Sequence, residues 1–482
     1  MTVTRQALEA LTAIVGPRWV RQAPAQLDAY ASDGLPTRHS RPAAVVLPGS
    51  GDEVIRLVRV LAHHGIPFVP RGAGTGLSGG AVADGDQVVV SCTRLNRILD
   101  VDPANRRATV EPGVVNVRLS EAVRSHGLHY APDPSSQSAC TIGGNVAENA
   151  GGPHCLKYGV TSNHILALDV VLPDGRLVRL GSPGGDAWGP DLVGLFVGSE
   201  GMFGIATRIT VRLVPLPRAV KTLLAAFGSI RGAGEAVSAI IASGLVPAAL
   251  EMMDRNCVRV VEASIYRAGY PVDAAAVLIV ELDGLDPAAV HAESEAVERV
   301  LRVHGATSVR VAADDAERAR LWQGRKKAFG ALGRLNADLL VQDAVVPRGT
   351  LPDVLERIGL IAAEHGLEVS NVFHAGDGNL HPNLTFDRRQ PGDLERVERA
   401  SEAIMRVCIA AGGTLTGEHG IGSDKLRYMP LLFDAETLGA MRAVRRAFDP
   451  LERANPGKVV PIHQCSEWRG HVTTGRAAGA AA

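Results

Sequence analysis

From Arg71 to Ala81 the chain reads Arg-Gly-Ala-Gly-Thr-Gly-Leu-Ser-Gly-Gly-Ala, with five glycines in nine consecutive positions. Such a run buries almost no side chain of its own, so neighbouring elements must hold it, and its bare backbone is open to close approach by a ligand. The flanks define those neighbours. Ala43–Pro48, Ile66–Pro70 and Gln87–Ser91 are short apolar runs that predict strands. Between the first two, Ser50 is a candidate N-cap, and Val54, Leu57, Val58 and Leu61 share one face of a helix that ends near Gly65. The result is a βαβ unit delivering the chain into the glycine loop. Gly74-x-Gly76-x-x-Gly79 meets the letter of the dinucleotide fingerprint, which requires a helix directly after the loop. Here Ala81-Val-Ala-Asp-Gly-Asp86 leads into a strand instead. What remains is a row of unshielded N–H groups beside Arg71, a cradle suited to a diphosphate.

Two more glycine-rich stretches follow. Asn116–His126 predicts a helix stopped by Gly127, then Tyr130–Gln137 leads to Thr141-Ile-Gly-Gly-Asn-Val-Ala-Glu-Asn-Ala-Gly-Gly152. Gly143, Gly144, Gly151 and Gly152 permit close approach, while Thr141, Asn145 and Asn149 offer neutral hydrogen bonds. That lining suits a large planar heteroaromatic ligand. Asp174-Gly175 predicts a hairpin between Ala167–Leu172 and Arg176–Leu180, and Gly198-Ser-Glu-Gly-Met-Phe-Gly-Ile205 precedes a closing strand over 209–214.

At 482 residues the chain exceeds one ordinary core, and about two or three domains are expected. A net charge of −1 supplies no basic footprint for nucleic acid or for an anionic membrane surface. Six cysteines, at 92, 140, 155, 257, 408 and 465, show no metal or cluster spacing and read as buried small hydrophobes in a reducing compartment. The first residues lack a signal-peptide layout, and no apolar run approaches a membrane span, so a cytoplasmic protein is expected.

Beyond residue 218 strands at 222–227, 248–253, 277–282 and 339–346 alternate with helices at roughly 231–243, 286–303, 314–334 and 351–365. The pattern is α+β rather than doubly wound. Within it, Asn371-Val-Phe-His-Ala-Gly-Asp-Gly-Asn-Leu-His-Pro-Asn383 predicts a hairpin turning on Asp377-Gly378, both at positive φ. That register sets His374 directly opposite His381, two imidazoles about 5 Å apart at Cβ and suited to one divalent metal. Asn383, two residues past His381, falls on the same strand face, placed to bond substrate. Further on, Gly412-Gly-Thr-Leu-Thr-Gly-Glu-His-Gly-Ile-Gly422 frames Glu418 and His419 with five glycines. In a regular strand the two would point apart, but the flanking glycines let both reach one site. The chain alone leaves open which is the ligand and which the base.

Seven motifs in order carry a family resemblance: Arg71–Ser78, Thr141–Asn145, Lys157-Tyr-Gly159, Gly198–Gly204, the paired-histidine hairpin, Gly417-Glu-His-Gly420 and Asn455-Pro-Gly-Lys458. They resemble the FAD-linked 2-hydroxyacid dehydrogenases of the vanillyl-alcohol-oxidase superfamily, over residues of about 40 to 462. The resemblance implies an α+β chain with an N-terminal helical segment (1–39) and an FAD-binding domain of two subdomains, of the PCMH type (40–218). It further implies a substrate domain with an antiparallel sheet and the metal site (219–424), and a segment returning to the flavin (425–462). Residues 463–482 read as a disordered tail.

The activity implied is oxidation of a short D-2-hydroxy acid, glycolate or D-lactate, with hydride passing to flavin N5. In the first loop, Arg71, Gly72, Gly74, Thr75, Gly76 and Ser78 would contact FAD. Pro132, Asp133, Thr141, Gly143, Gly144, Asn145 and Asn149 would do so from the second stretch, and Gly201, Gly204, Ile205 and Asn455 from later in the chain. Thr75 stands where some superfamily members carry a flavin-linked histidine, so the FAD is expected to be non-covalent. The resemblance assigns His374, His381 and Glu418 to a divalent metal, with zinc first and manganese or iron allowed. It makes His419 the general base and Arg325 the clamp for the substrate carboxylate, against a solvated helix face shared with Lys326 and Lys327. Relatives acting on five-carbon dicarboxylates carry a lysine where this chain has Val341, which favours a monocarboxylate. The alternatives are a D-2-hydroxyglutarate-type dehydrogenase, an alkyl-transferring synthase of the same superfamily, and a metal hydrolase whose glycine loops hold a substrate phosphate. Electrons would leave through an iron–sulfur or second flavin partner subunit, a quinone or oxygen. A homodimer and peripheral attachment to a membrane through a partner are both allowed.

Overall fold

A computed structural model describes residues 3–185 and 189–461; the expected tail and Cys465 lie outside them. The N-terminal half builds two small sheets and a two-stranded pair of Leu128–His129 with Val214–Pro215. In the first, the order is Val20–Arg21, Ala44–Val46, Val88–Ser91, Phe68–Arg71, the last three running parallel. Ser50 accepts a hydrogen bond from the Glu53 N–H and so starts the helix Gly51–His63, whose Val54, Leu57, Val58 and Leu61 are fully buried against that sheet. Val88–Ser91 lies between the two earlier strands, so the glycine loop crosses from one strand end to reach it. The second sheet is antiparallel, ordered Ile98–Asp102, Arg107–Val110, Ile205–Arg212, Ile165–Val171, Leu177–Gly181.

The C-terminal half is built on nine strands. Seven run in the order Ala306–Val311, Ala219–Phe227, Ala276–Gly284, Ala249–Asp254, Val369–His374, Asn379–Leu380, Ala344–Val345, with Asp338–Val341 and Pro382–Phe386 joined beside them. Their pairings are antiparallel. Period-two alternation divides the core: Leu223, Ala225 and Phe227 pack with helices Ile230–Ala242 and Pro287–Val303, while Leu224 and Ala226 face Arg255–Glu262 and Asp315–Lys326. Both faces of the central strands are covered, and Ala249–Asp254 and Ala276–Gly284 are accordingly almost wholly buried. The architecture is the expected α+β one, two small sheets with their helices followed by a domain on a large antiparallel sheet.

Several expected elements differ in detail. The helix expected over 314–334 breaks at Lys327 into Asp315–Lys326 and Ala328–Leu332. The strand expected over 339–346 is interrupted at Gln342-Asp343. Thr141-to-Gly152 is not all loop: Thr141 caps a short helix, Ile142–Glu148, ended by Asn149 in the left-handed region. The chain end returns to the first sheet, where Ala454 bridges Phe68 in parallel and the Asn455 N–H donates to the Phe68 carbonyl at 2.8 Å. Four cysteines are buried, but Cys155 is only partly so. No helix among the described residues is long and apolar enough to cross a membrane.

The halves are tied by charge. His154 bridges Asp133 (2.9 Å) and Glu281 (3.1 Å), while Lys157 Nζ and Tyr158 OH reach the two Asp283 carboxylate oxygens at 2.5 and 2.7 Å.

Candidate active site

One cavity, of about 1500 Å³ with its solvent mouth included, runs from the glycine loops to the histidine hairpin. Its wall contains Gly72, Gly74, Thr75, Gly76, Thr141, Gly143, Gly144, Asn145, Gly201, Gly204 and Ile205. Close packing explains the glycines. A Cβ on Gly72 would sit 2.4 Å from Thr141 Oγ1, and one on Gly143 2.5 Å from Pro112 Cβ. The N–H groups of Ala73, Gly74 and Thr75 donate to no acceptor among the described residues. Asn145 Nδ2 and Ser199 Oγ are buried on the same wall without partners. A long polar-edged ligand such as FAD fits these orphan groups.

Arg71 lines the cavity as expected, with its guanidinium donating to the carbonyls of Ala81 (3.0 Å) and Ser32 (2.8 Å) and so bracing the loop. Ser78, Pro132, Asp133, Asn149 and Asn455 lie off the cavity wall. The Ser78 carbonyl accepts from Ser423 and Asp424, and the Pro132 carbonyl accepts from Asn116 Nδ2 at 3.0 Å. Asp133 holds His154, Asn149 accepts from the Ser162 N–H, and Asn455 Nδ2 donates to the carbonyls of Gly80 and Glu200. These residues shape the cavity at one remove.

At the far end the hairpin register differs from the one expected. His374 pairs with Asn379 across a four-residue turn, and of Asp377 and Gly378 only the glycine has positive φ. His381 is therefore diagonal to His374 rather than opposite, but two residues of offset keep it on the same face. The rings stand 5.2 Å apart, edge to face. Glu418 Oε1 lies 3.2 Å from His374 Nε2 and 3.2 Å from His381 Nε2. Ligand atoms about 2.0–2.1 Å from one tetrahedral zinc ion are themselves about 3.3 Å apart, so the donor set fits such a cation. Burial opposes charge on His374, yet Glu251 and Glu418 outweigh it and raise the imidazole well above the usual histidine range. Burial likewise favours a neutral Glu418, and His374 and His381 overcome it, holding the carboxyl well below its ordinary value.

His419 stacks on His381 and keeps Nε2 4.0 Å from Glu418 Oε1. Burial is the largest influence on it and lowers its pKa to about 4, so the ring is neutral. Asn383 does not reach the cavity: its Nδ2 donates to the carbonyls of Ser370 and His381. Arg325 is no solvated helix residue; at 1% exposure it lines the cavity, with neither Nη1 nor Nη2 in a hydrogen bond among the described residues, although Nη2 lies 2.5 Å from Glu251 Oε2.

Two organising carboxylates escaped the sequence reading. Asp343 Oδ2 accepts from the N–H groups of Gly417 (3.0 Å), Glu418 (3.4 Å) and His419 (3.0 Å), from the Thr416 hydroxyl and from Lys425 Nζ (3.1 Å). It thereby folds the loop that aims Glu418 and His419. Asp343, His381 and His419 also converge closely enough for a cation, but Lys425 already supplies the positive charge there. Glu251 holds His374 and Arg325 together. Both acids stand within apolar runs, Ala249-Leu-Glu-Met-Met and Leu339-Leu-Val-Gln-Asp-Ala-Val-Val, a signal that a charge is being buried for a purpose.

Comparison with known proteins shows the family. Residues 42–181 match the family described as FAD binding domain, and residues 216–459 the family described as FAD linked oxidases, C-terminal domain. The chain belongs to the FAD-linked oxidase family. Its relatives there include the glycolate oxidase subunit GlcD of Escherichia coli, 48% identical over 440 residues, 91% of this chain and 88% of that protein. GlcD of Bacillus subtilis is 41% identical over 458 residues, covering 95% and 97%. The D-lactate dehydrogenase of Archaeoglobus fulgidus is 33% identical over 439 residues, covering 90% and 96%. Among solved structures, p-cresol methylhydroxylase superposes with a TM-score of 0.80 at 18% identity, covering 94% of this chain and 96% of that one. At that identity the likeness speaks for fold alone.

Proposed function

We propose that this protein oxidises a short D-2-hydroxy acid, glycolate or D-lactate, to the 2-oxo acid, using non-covalent FAD and a divalent cation. The observation that carries the reading is the meeting, in one cavity, of the glycine wall, the His374–His381–Glu418 donor set and the free arm of Arg325. When bound, FAD supplies the two-electron acceptor for the C2 hydride and the cation supplies a Lewis acid for the substrate hydroxyl. His374, His381 and Glu418 hold the cation, with zinc suited to them and manganese or iron also compatible. His419, kept neutral by burial, takes the hydroxyl proton at Nε2. Arg325 receives the substrate carboxylate at Nη1.

Among the described lining residues at the histidine end, Arg325 is the one lysine or arginine, which supports a monocarboxylate over a dicarboxylate. Phe329, with its ring 6.5 Å from that of His381, narrows the same end. The GlcD relatives are named as subunits, which supports the proposal that this chain passes its electrons to a partner subunit.

The test is anaerobic bleaching of the flavin by a panel of D- and L-hydroxy acids. Glycolate and D-lactate should bleach it within the mixing and turnover time. Bleaching by five-carbon dicarboxylates alone would favour the 2-hydroxyglutarate-type alternative, and no bleaching by any hydroxy acid would overturn the reading.

A further inference from the structure

Glu251 is a carboxylate with no exposed surface, in the middle of a sheet strand between Leu250 and Met252. Burying such a charge costs several kcal/mol unless both oxygens are satisfied. Both are, by residues of different function. Strand pairing puts Glu251 directly across from His374, and Oε1 lies 2.7 Å from His374 Nδ1. Oε2 lies 2.6 Å from Arg325 Nε and 2.5 Å from Arg325 Nη2, on the helix packed over that face.

We propose that Glu251 is a positioning residue that aligns the cation site and the substrate-carboxylate arm from a single anchor. The inference rests on the proposed metal-assisted reading. Its physical content is geometric. With Nδ1–H donated to Glu251, His374 presents the lone pair of Nε2 toward His381 and Glu418, the orientation a metal ligand needs. With Nε of Arg325 bound to the other oxygen, the guanidinium is held at the cavity lining and Nη1 is left without a partner among the described residues. The hydroxyl and carboxylate of a 2-hydroxy acid sit on adjacent carbons, and one shared anchor holds their two receptors at a constant spacing.

The test uses the FAD-loaded protein depleted of metal and titrated with zinc, or with manganese where zinc does not bind, against a chromophoric chelator. Glu251→Gln should weaken metal binding by about 10- to 100-fold, the range for loss of a carboxylate behind a ligating histidine. At saturating metal it should still raise KM for the hydroxy acid at least about tenfold, because the guanidinium has lost its brace. Glu281→Gln, another buried carboxylate, serves as the control: its melting temperature should fall while metal affinity stays within about threefold. If Glu251→Gln does not fold, Glu251→Asp withdraws the carboxylate by one methylene and should shift both quantities at least about threefold. A folded variant with unchanged metal affinity or unchanged KM overturns the proposal. If the unaltered protein binds neither metal stoichiometrically, the metal-assisted reading itself falls and takes the proposal with it, an outcome distinct from failure of the variant alone.

Discussion

His381 and His419 lie face to face, their ring planes 2° from parallel and their centroids 4.8 Å apart. One ring is turned to share Glu418 with His374, and the other stands just outside that set. The stacking keeps His419 beside the donor atoms without making it one. His419→Asn should therefore keep stoichiometric metal and FAD, still bind substrate, and slow flavin reduction by roughly 10²- to 10⁴-fold. Rapid-mixing absorbance with metal analysis on the same sample decides it. Loss of metal in step with activity would make His419 a ligand.

His374→Ala or His381→Ala removes one of two nitrogens facing Glu418 Oε1 at 3.2 Å. The glycine wall is untouched by either change. Each variant should lose its metal and retain its flavin, measured by elemental analysis and by the visible spectrum. Full turnover in a metal-free sample would contradict the assignment.

Arg325→Met should lower kcat/KM by about 2–4 kcal/mol, or roughly 30- to 700-fold, through the lost charge-assisted bonds to substrate. Because Arg325 also neutralises Glu251, the same change leaves a buried carboxylate half paired and should reduce stability by about 3–5 kcal/mol. Steady-state kinetics and thermal melting separate the two effects. Lost stability with unchanged KM would reduce Arg325 to a partner of Glu251.

His154 gives the joint between the halves a pH dependence. Burial opposes its charge, but Asp133 first and then Glu281 outweigh that and raise its pKa to about 10. A group raised in the folded state contributes stability in full below its unfolded pKa of about 6.5 and loses it as pH climbs through its folded value. The melting temperature should thus decline between about pH 6.5 and 10, and His154→Gln should flatten that decline. Parallel slopes for the two proteins across this window would rule out the clamp.

The residues themselves determined much of this protein. Ser50 capped the helix that the spacing of Val54, Leu57, Val58 and Leu61 demanded, and the apolar run 222–227 formed the strand expected there. The spacing of His374 and His381 already put both rings on one sheet face, because a register error of two residues does not change the face. Tertiary structure alone decided what stands around them. It tied Arg71 to the carbonyls of Ser32 and Ala81, drew Asn383 onto backbone carbonyls, and set Asp343 under the Gly417–His419 loop. It also buried Arg325 against Glu251, 74 positions away, and Glu251 against His374, 123 away. Caps and periodicities act within a few residues and can be read along the chain. The choice of which carboxylate meets which imidazole depends on strand register and helix docking between segments that no local spacing relates.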